Sequence, residues 1–162
     1  MRLIKSNVIF VLFSIYCAQS SAQILTTGLD NGWTAMTTQA DPFDRSKVRI
    51  VQIFKEGFHF RCGELNMAID SSGFDGISFS ADISFVVDNG EARSRRGSYS
   101  TYLGGSDLVT DSRYYSFRMT EGDVVEMKTG NLIKVAGKYS DSWITRELNL
   151  AGFSSAYSAM CE

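Results

Sequence analysis

The chain is poor in the residues that most often carry chemistry or break structure. It has one histidine, one proline and three cysteines in 162 residues, and no block of like charge. A single histidine leaves a zinc site with too few good ligands. A single proline, Pro42, and no low-complexity stretch exclude a proline-rich linker, so the chain reads as one continuous domain. The formal net charge is −2, which argues against nucleic acid or an anionic membrane surface as partner. No Gly-x-Ser-x-Gly, His-Glu-x-x-His or phosphate-loop pattern is present. We expect no cofactor and no metal.

What the chain does have begins at its first residues. Arg2 and Lys5 precede an apolar run, Val8 to Cys17, and Ser20-Ser21-Ala22 follows with small residues. Positive, apolar and small segments in that order form the pattern of a cleaved secretory signal. The run is too short for a comfortable bilayer span of about 20 residues. We therefore expect a signal peptide over 1–22, a mature domain over 23–162, and no transmembrane segment after cleavage. Arg2 and Lys5 leave with the signal, so 14 basic side chains remain against 18 acidic ones. The expected location is periplasmic or secreted.

Export changes how the cysteines read. Cys17 falls inside the signal, which leaves Cys62 and Cys161. In an oxidising compartment, two cysteines in a small domain tend to pair. Such a bridge closes a loop of roughly 100 residues, for which the chain-entropy model gives about 4.7 kcal/mol less any strain.

The clearest periodicity lies over residues 77–88. Ile77, Phe79, Ala81, Ile83, Phe85 and Val87 alternate with Ser78, Ser80, Asp82, Ser84, Val86 and Asp88, which predicts a long half-buried strand. Asp88-Asn89-Gly90 predicts a tight turn, with Asn89-Gly90 supplying the positive backbone angles. Further strands are expected over Lys47–Phe54, Phe58–Cys62, Leu65–Ile69, Tyr114–Met119, Val124–Met127, Leu132–Val135 and Trp143–Leu150. Glu121-Gly122-Asp123 and Thr129-Gly130-Asn131 read as turns between them. Gly152–Cys161 alone shows helical spacing, through Phe153, Ala156, Tyr157 and Met160. The fold class is thus mainly β: a single antiparallel β-sandwich or barrel-like domain with a short C-terminal helix.

Candidate sites are few. His59 alternates with Phe58 and Phe60, so it is expected to face outward as an ordinary strand residue, not to act as a catalytic base. Asp41 and Asp44 lack the spacing of a calcium loop and read as dressing for a turn. Arg93, Arg95 and Arg96, with Tyr99 and Tyr102, form the one local basic and aromatic cluster. It reads either as a contact surface on a hairpin arm or as a solvated face pairing with Glu91. Alternation puts Arg93, Arg95 and Tyr99 on one face and Arg96 and Tyr102 on the other, unless Gly97 marks a bulge.

Gly32-Trp33, the Asp41-to-Ser46 turn, Arg61-Cys62, the Val87-to-Gly90 hairpin and Leu148-Asn149-Leu150-Ala151-Gly152-Phe153 fall together in a familiar order. The chain resembles small exported bacterial β domains of the invasion-associated locus B type and VasI-like proteins encoded beside type VI secretion genes. Tyr99 and Tyr102 stand where the second type usually has a tryptophan. The resemblance implies an envelope protein without established enzymatic activity and transfers no site residues. The expected function is a non-enzymatic binding or accessory protein whose partner is an unknown protein or envelope component. The alternatives are a cell-wall or glycan hydrolase using paired carboxylates, or a secreted enzyme inhibitor.

Overall fold

The computed structural model describes residues 25–41, 44–70, 78–102, 112–139 and 141–162. The expected signal peptide over 1–22 lies outside the described residues, as do Ile77 and the centre of the Asp41-to-Ser46 turn. Ten strands form one antiparallel sheet: β1 (Leu25–Gly28), β2 (Thr34–Asp41), β3 (Asp44–Lys55), β4 (Phe58–Arg61), β5 (Glu64–Asp70), β6 (Ser78–Val87), β7 (Arg93–Tyr102), β8 (Ser112–Arg118), β9 (Leu132–Tyr139) and β10 (Ser142–Asn149). Two α-helices, α1 (Glu121–Thr129) and α2 (Phe153–Cys161), and a short 3-10 turn at Asp30–Gly32 complete the described fold.

The strand order is β1-β2-β3-β4-β5-β8-β7-β6-β9-β10. The meander β6–β7–β8 returns to β5 through its last strand, which leaves β6 to pair with β9. The sheet folds over on itself as a sandwich does and does not close into a barrel. Its two halves are latched across the gap by side chains that donate to backbone oxygens. Trp33 Nε1 reaches Ala151 O at 2.8 Å, Arg146 Nη1 reaches Ala68 O at 2.8 Å, and Lys55 Nζ reaches Asn149 O at 3.1 Å.

Alternation decides the core. Along β6, Ala81, Ile83, Phe85 and Val87 are buried while Ser78, Ser80 and Asp82 are exposed, as a strand with one covered face requires. Two aromatic clusters fill the interior. Trp33, Phe60, Phe153 and Tyr157 pack beneath α2, with ring centroids 4.9–5.7 Å apart along Trp33–Phe60, Phe60–Phe153 and Phe153–Tyr157. Phe79, Tyr99, Tyr115 and Tyr139 form the second, with Tyr99 stacked on Phe79 at 4.7 Å. Tyr115 crosses over Gly137, where any Cβ would collide with its ring. Burial, reinforced by Tyr99 and Tyr139, pushes the Tyr115 phenol up to about 12.

Three local expectations need correction. Val124–Met127 is not a strand, and Glu121-Gly122-Asp123 is not a turn; both belong to α1. Four residues with scattered apolar positions fit either period, and the Thr120–Asp123 capping box decides for the helix. Thr120 N donates to Asp123 Oδ2 at 2.8 Å and Asp123 N to Thr120 Oγ1 at 3.2 Å. The β6–β7 turn draws its positive angle from Asp88 (φ 50°), not from Asn89-Gly90. The Asp88 carboxylate there accepts from the amides of Asn131 and Leu132 at 3.0 and 2.9 Å, which ties the turn to β9.

Candidate functional site

The residues 93–102 form β7, an interior strand paired with β6 on one side and β8 on the other. They are therefore not a protruding arm. The register runs unbroken from Ser78↔Ser100 to Phe85↔Arg93, so Gly97 makes no bulge. Its missing side chain serves close approach instead: a Cβ there would collide with Ser116 O and Ile83.

With the register intact, Arg93, Arg95 and Tyr99 do share a face, and it is the inner one. Tyr99 is 1% exposed and belongs to the second aromatic cluster. Arg93 and Arg95 converge on Asp123 of α1, whose exposure is 0%. Arg93 Nη1 donates to Asp123 Oδ1 at 2.9 Å, and Arg95 Nη2 donates to both carboxylate oxygens at 3.0 and 3.2 Å. Arg93 also pairs with Glu126 at 2.6 Å, and the Arg95 guanidinium lies over the Phe85 ring. Burial alone would push the Asp123 carboxyl up, but hydrogen bonds from Thr120 and from the two arginines hold it below the usual carboxylate range. The cluster thus clamps a helix to a sheet. Asp123 lies 30 positions beyond Arg93, so no local pattern pairs them; the Thr-x-x-Asp cap was the visible signal.

Arg96 faces the opposite way. Its guanidinium group donates to Ser80 Oγ at 2.6 Å and lies 3.5 Å from Asp82, with its side chain 73% exposed. Tyr102 ends β7, and its side chain lies outside the described residues. On the same outer face, β9 presents Lys134 and Lys138, and the edge strand β10 presents Trp143, Thr145 and Glu147. Trp143 is 53% exposed. Between these strands lies a shallow depression bordered by Val86, Ala92, Ala136 and Thr145.

His59 occupies the face away from Phe58 and Phe60, as its alternation implies, and is half-buried there. Its Nδ1 is 2.7 Å from Gln52 Nε2, and its ring stacks on Phe54 at 5.6 Å. Gln52 Oε1 accepts from Arg61 Nε at 3.4 Å, which keeps the amide nitrogen turned toward Nδ1 of the histidine. Burial, and secondarily Arg61, lowers its pKa. These neighbours hold the ring in place and offer it no nucleophile to activate. Asp44 forms an ion pair with Lys47 at 3.6 Å. Among the described residues no group of three or more His, Cys, Asp or Glu side chains is placed to hold a metal ion.

Cys62 and Cys161 form a disulfide, with Cα atoms 5.6 Å apart across a separation of 99 residues. Cys62 sits in the exposed turn after β4, not inward with Phe58 and Phe60 as its alternation implied. The bridge joins that turn to the end of α2. Gly63 N donates to Tyr157 Oη at 2.9 Å beside it. No helix among the described residues is long and apolar enough to cross a membrane. Comparison with family models, with curated proteins and with solved structures gives no match, so geometry alone describes what these surfaces can do.

Proposed function

We propose that the chain is an exported, periplasmic or secreted domain that works by contact and not by turnover, as a binding or accessory protein of the cell envelope. The observation that carries this reading is the Cys62–Cys161 disulfide, a bond that persists in oxidising compartments. The leader-like start of the chain and its resemblance to exported envelope β domains support the same compartment. The candidate side chains support contact over catalysis, because Arg93, Arg95, Asp123 and His59 are engaged in holding structure. Contact then falls to the outer face of β7, β6, β9 and β10, where Arg96, Lys134, Lys138 and Trp143 stand clear of the core. Tryptophan and arginine are enriched among residues that dominate binding energy.

The test is mass spectrometry of the envelope and culture fractions under non-reducing conditions, paired with turnover assays on cell-wall glycan. The expected result is a chain beginning at Gln23 with Cys62 and Cys161 bridged, and no release of glycan fragments. An intact Met1, or two alkylatable thiols, would overturn export; glycan cleavage retained through purification would overturn the contact role.

A further inference from the structure

We infer that β10 is a self-pairing edge, and that two copies of this chain join there about a two-fold axis into one continuous sheet. This inference is independent of the proposed envelope role. It rests on which backbone groups β10 leaves open. Leu150 N donates to Asn131 O, so the even-numbered residues of the β10 ladder face β9. The odd-numbered residues then point their amides and carbonyls the other way. Asn149 confirms the direction, since its carbonyl accepts from Lys55 Nζ outside the ladder. Trp143, Thr145 and Glu147 consequently present an open hydrogen-bonding edge, and among the described residues no strand pairs with it.

The β9–β10 register is continuous from Ser142↔Tyr139 to Asn149↔Leu132, with no bulge, and β10 contains no proline. Those are two of the devices by which proteins blunt an edge against pairing. A long, regular edge of this kind is a template for another strand. Among the described residues the other sheet edge, β1, offers four.

The side chains choose the partner and the register. An antiparallel pairing centred on Thr145 sets Trp143 opposite Glu147 of the second copy, Thr145 opposite Thr145, and Glu147 opposite Trp143. Three narrow pairs give about six backbone hydrogen bonds. A threonine–threonine pair is favourable, and no like charges face each other. On the inner face Ile144 falls opposite Arg146, whose guanidinium is already turned to Ala68 O. Moving the centre two residues to Glu147 would set that carboxylate against its copy. The Thr145-centred register is therefore self-complementary, and a two-fold contact closes on itself where a β10-to-β1 contact would propagate.

The experiment is sedimentation velocity of the disulfide-bonded protein over roughly 1 µM to 1 mM, a range suited to a small interface. Three chains are compared: wild type, Thr145→Asp and Thr145→Lys. Thr145 is exposed and its amide is outside the β9 ladder, so both variants should keep the wild-type circular dichroism spectrum. Wild type should dimerise with concentration. Each variant alone should associate at least about tenfold more weakly, because like charges meet at the axis. An equimolar mixture of the two should regain the dimer. A wild type that stays monomeric throughout, variants that dimerise unchanged, a mixture that fails to recover, or open-ended growth in place of a dimer would each overturn the inference. Loss of envelope export or of partner capture would leave it standing.

Discussion

The two helices are held to the sheet by opposite kinds of force. α2 buries Phe153, Ala156 and Tyr157 against Trp33 and Phe60, and a covalent bond fastens its last turn. α1 buries Asp123 and Met127, with Val124 packed against the core, and its polar attachment is a carboxylate shared by two arginines and a capping amide. The helices also touch each other, through Lys128 donating to Ser158 and Glu162 at 2.9 and 2.6 Å. A helix with an apolar stripe carries the reason for its docking in its own sequence. A helix docked by charge depends on residues of a distant strand.

The largest break in this comparison should come from Asp123→Ala. It removes the capping box, strips Arg95 of its counter-charge and leaves Arg93 with Glu126 alone, so we expect a loss of about 3–5 kcal/mol in urea unfolding. A smaller loss, near that of a cap alone at about 1 kcal/mol, would mean that the arginines swing to solvent and that α1 docks by Met127.

Cys62→Ser should cost about 2–5 kcal/mol, the range for a lost native bridge in a small domain. Its signature is local. Hydrogen exchange should accelerate in 153–161 more than in 121–129, since α1 keeps its clamp. Equal acceleration in both helices would show that the Lys128 contacts weld them into one unit.

Acid sharpens the distinction by acting on one helix first. Asp123 has a lowered folded pKa, so its contribution is full above the ordinary carboxylate value near 3.9 and fades as pH falls through the folded value. The expected outcome is that α1 amides lose protection below about pH 4 while α2 stays protected.

The smallest effect belongs to His59→Ala, at about 1 kcal/mol for one lost side-chain hydrogen bond to Gln52. The folded state lowers the His59 pKa, so wild type binds fewer protons than the unfolded chain and loses stability as pH falls below about 6.5. The variant should be flatter through that window. A slope identical to wild type would show that the ring moves freely out of its place between Gln52 and Phe54.

Much of the fold was legible in the chain because burial follows period. Residues 77–88 alternate without interruption, and β6 occupies nearly that span. The helical spacing of Phe153, Ala156, Tyr157 and Met160 marked α2 in the same way. Val124–Met127 gives no sign of its helix because a short segment with one deeply buried apolar side chain has no decisive period. The inward turn of Arg93 and Arg95 was hidden for another reason. Their face was readable from alternation, but which face the core covers depends on the strands at either side. Residues 25–41 gave little sign of strands; β1 is exposed throughout, and its pairing with β2 comes from backbone bonds.

By itself, the sequence determined the alternation of β6, the stripe of α2 and the presence of two cysteines suited to pairing, because each rests on residue types at fixed local spacing. The tertiary structure decided that Trp33 meets Ala151, that Cys62 meets Cys161, and that two arginines converge on Asp123. It also decided that β10 lies at the edge of the sheet among the described residues. Those outcomes depend on strand order, which brings residues from about 30 to more than 100 positions apart into contact, and no local period encodes that order.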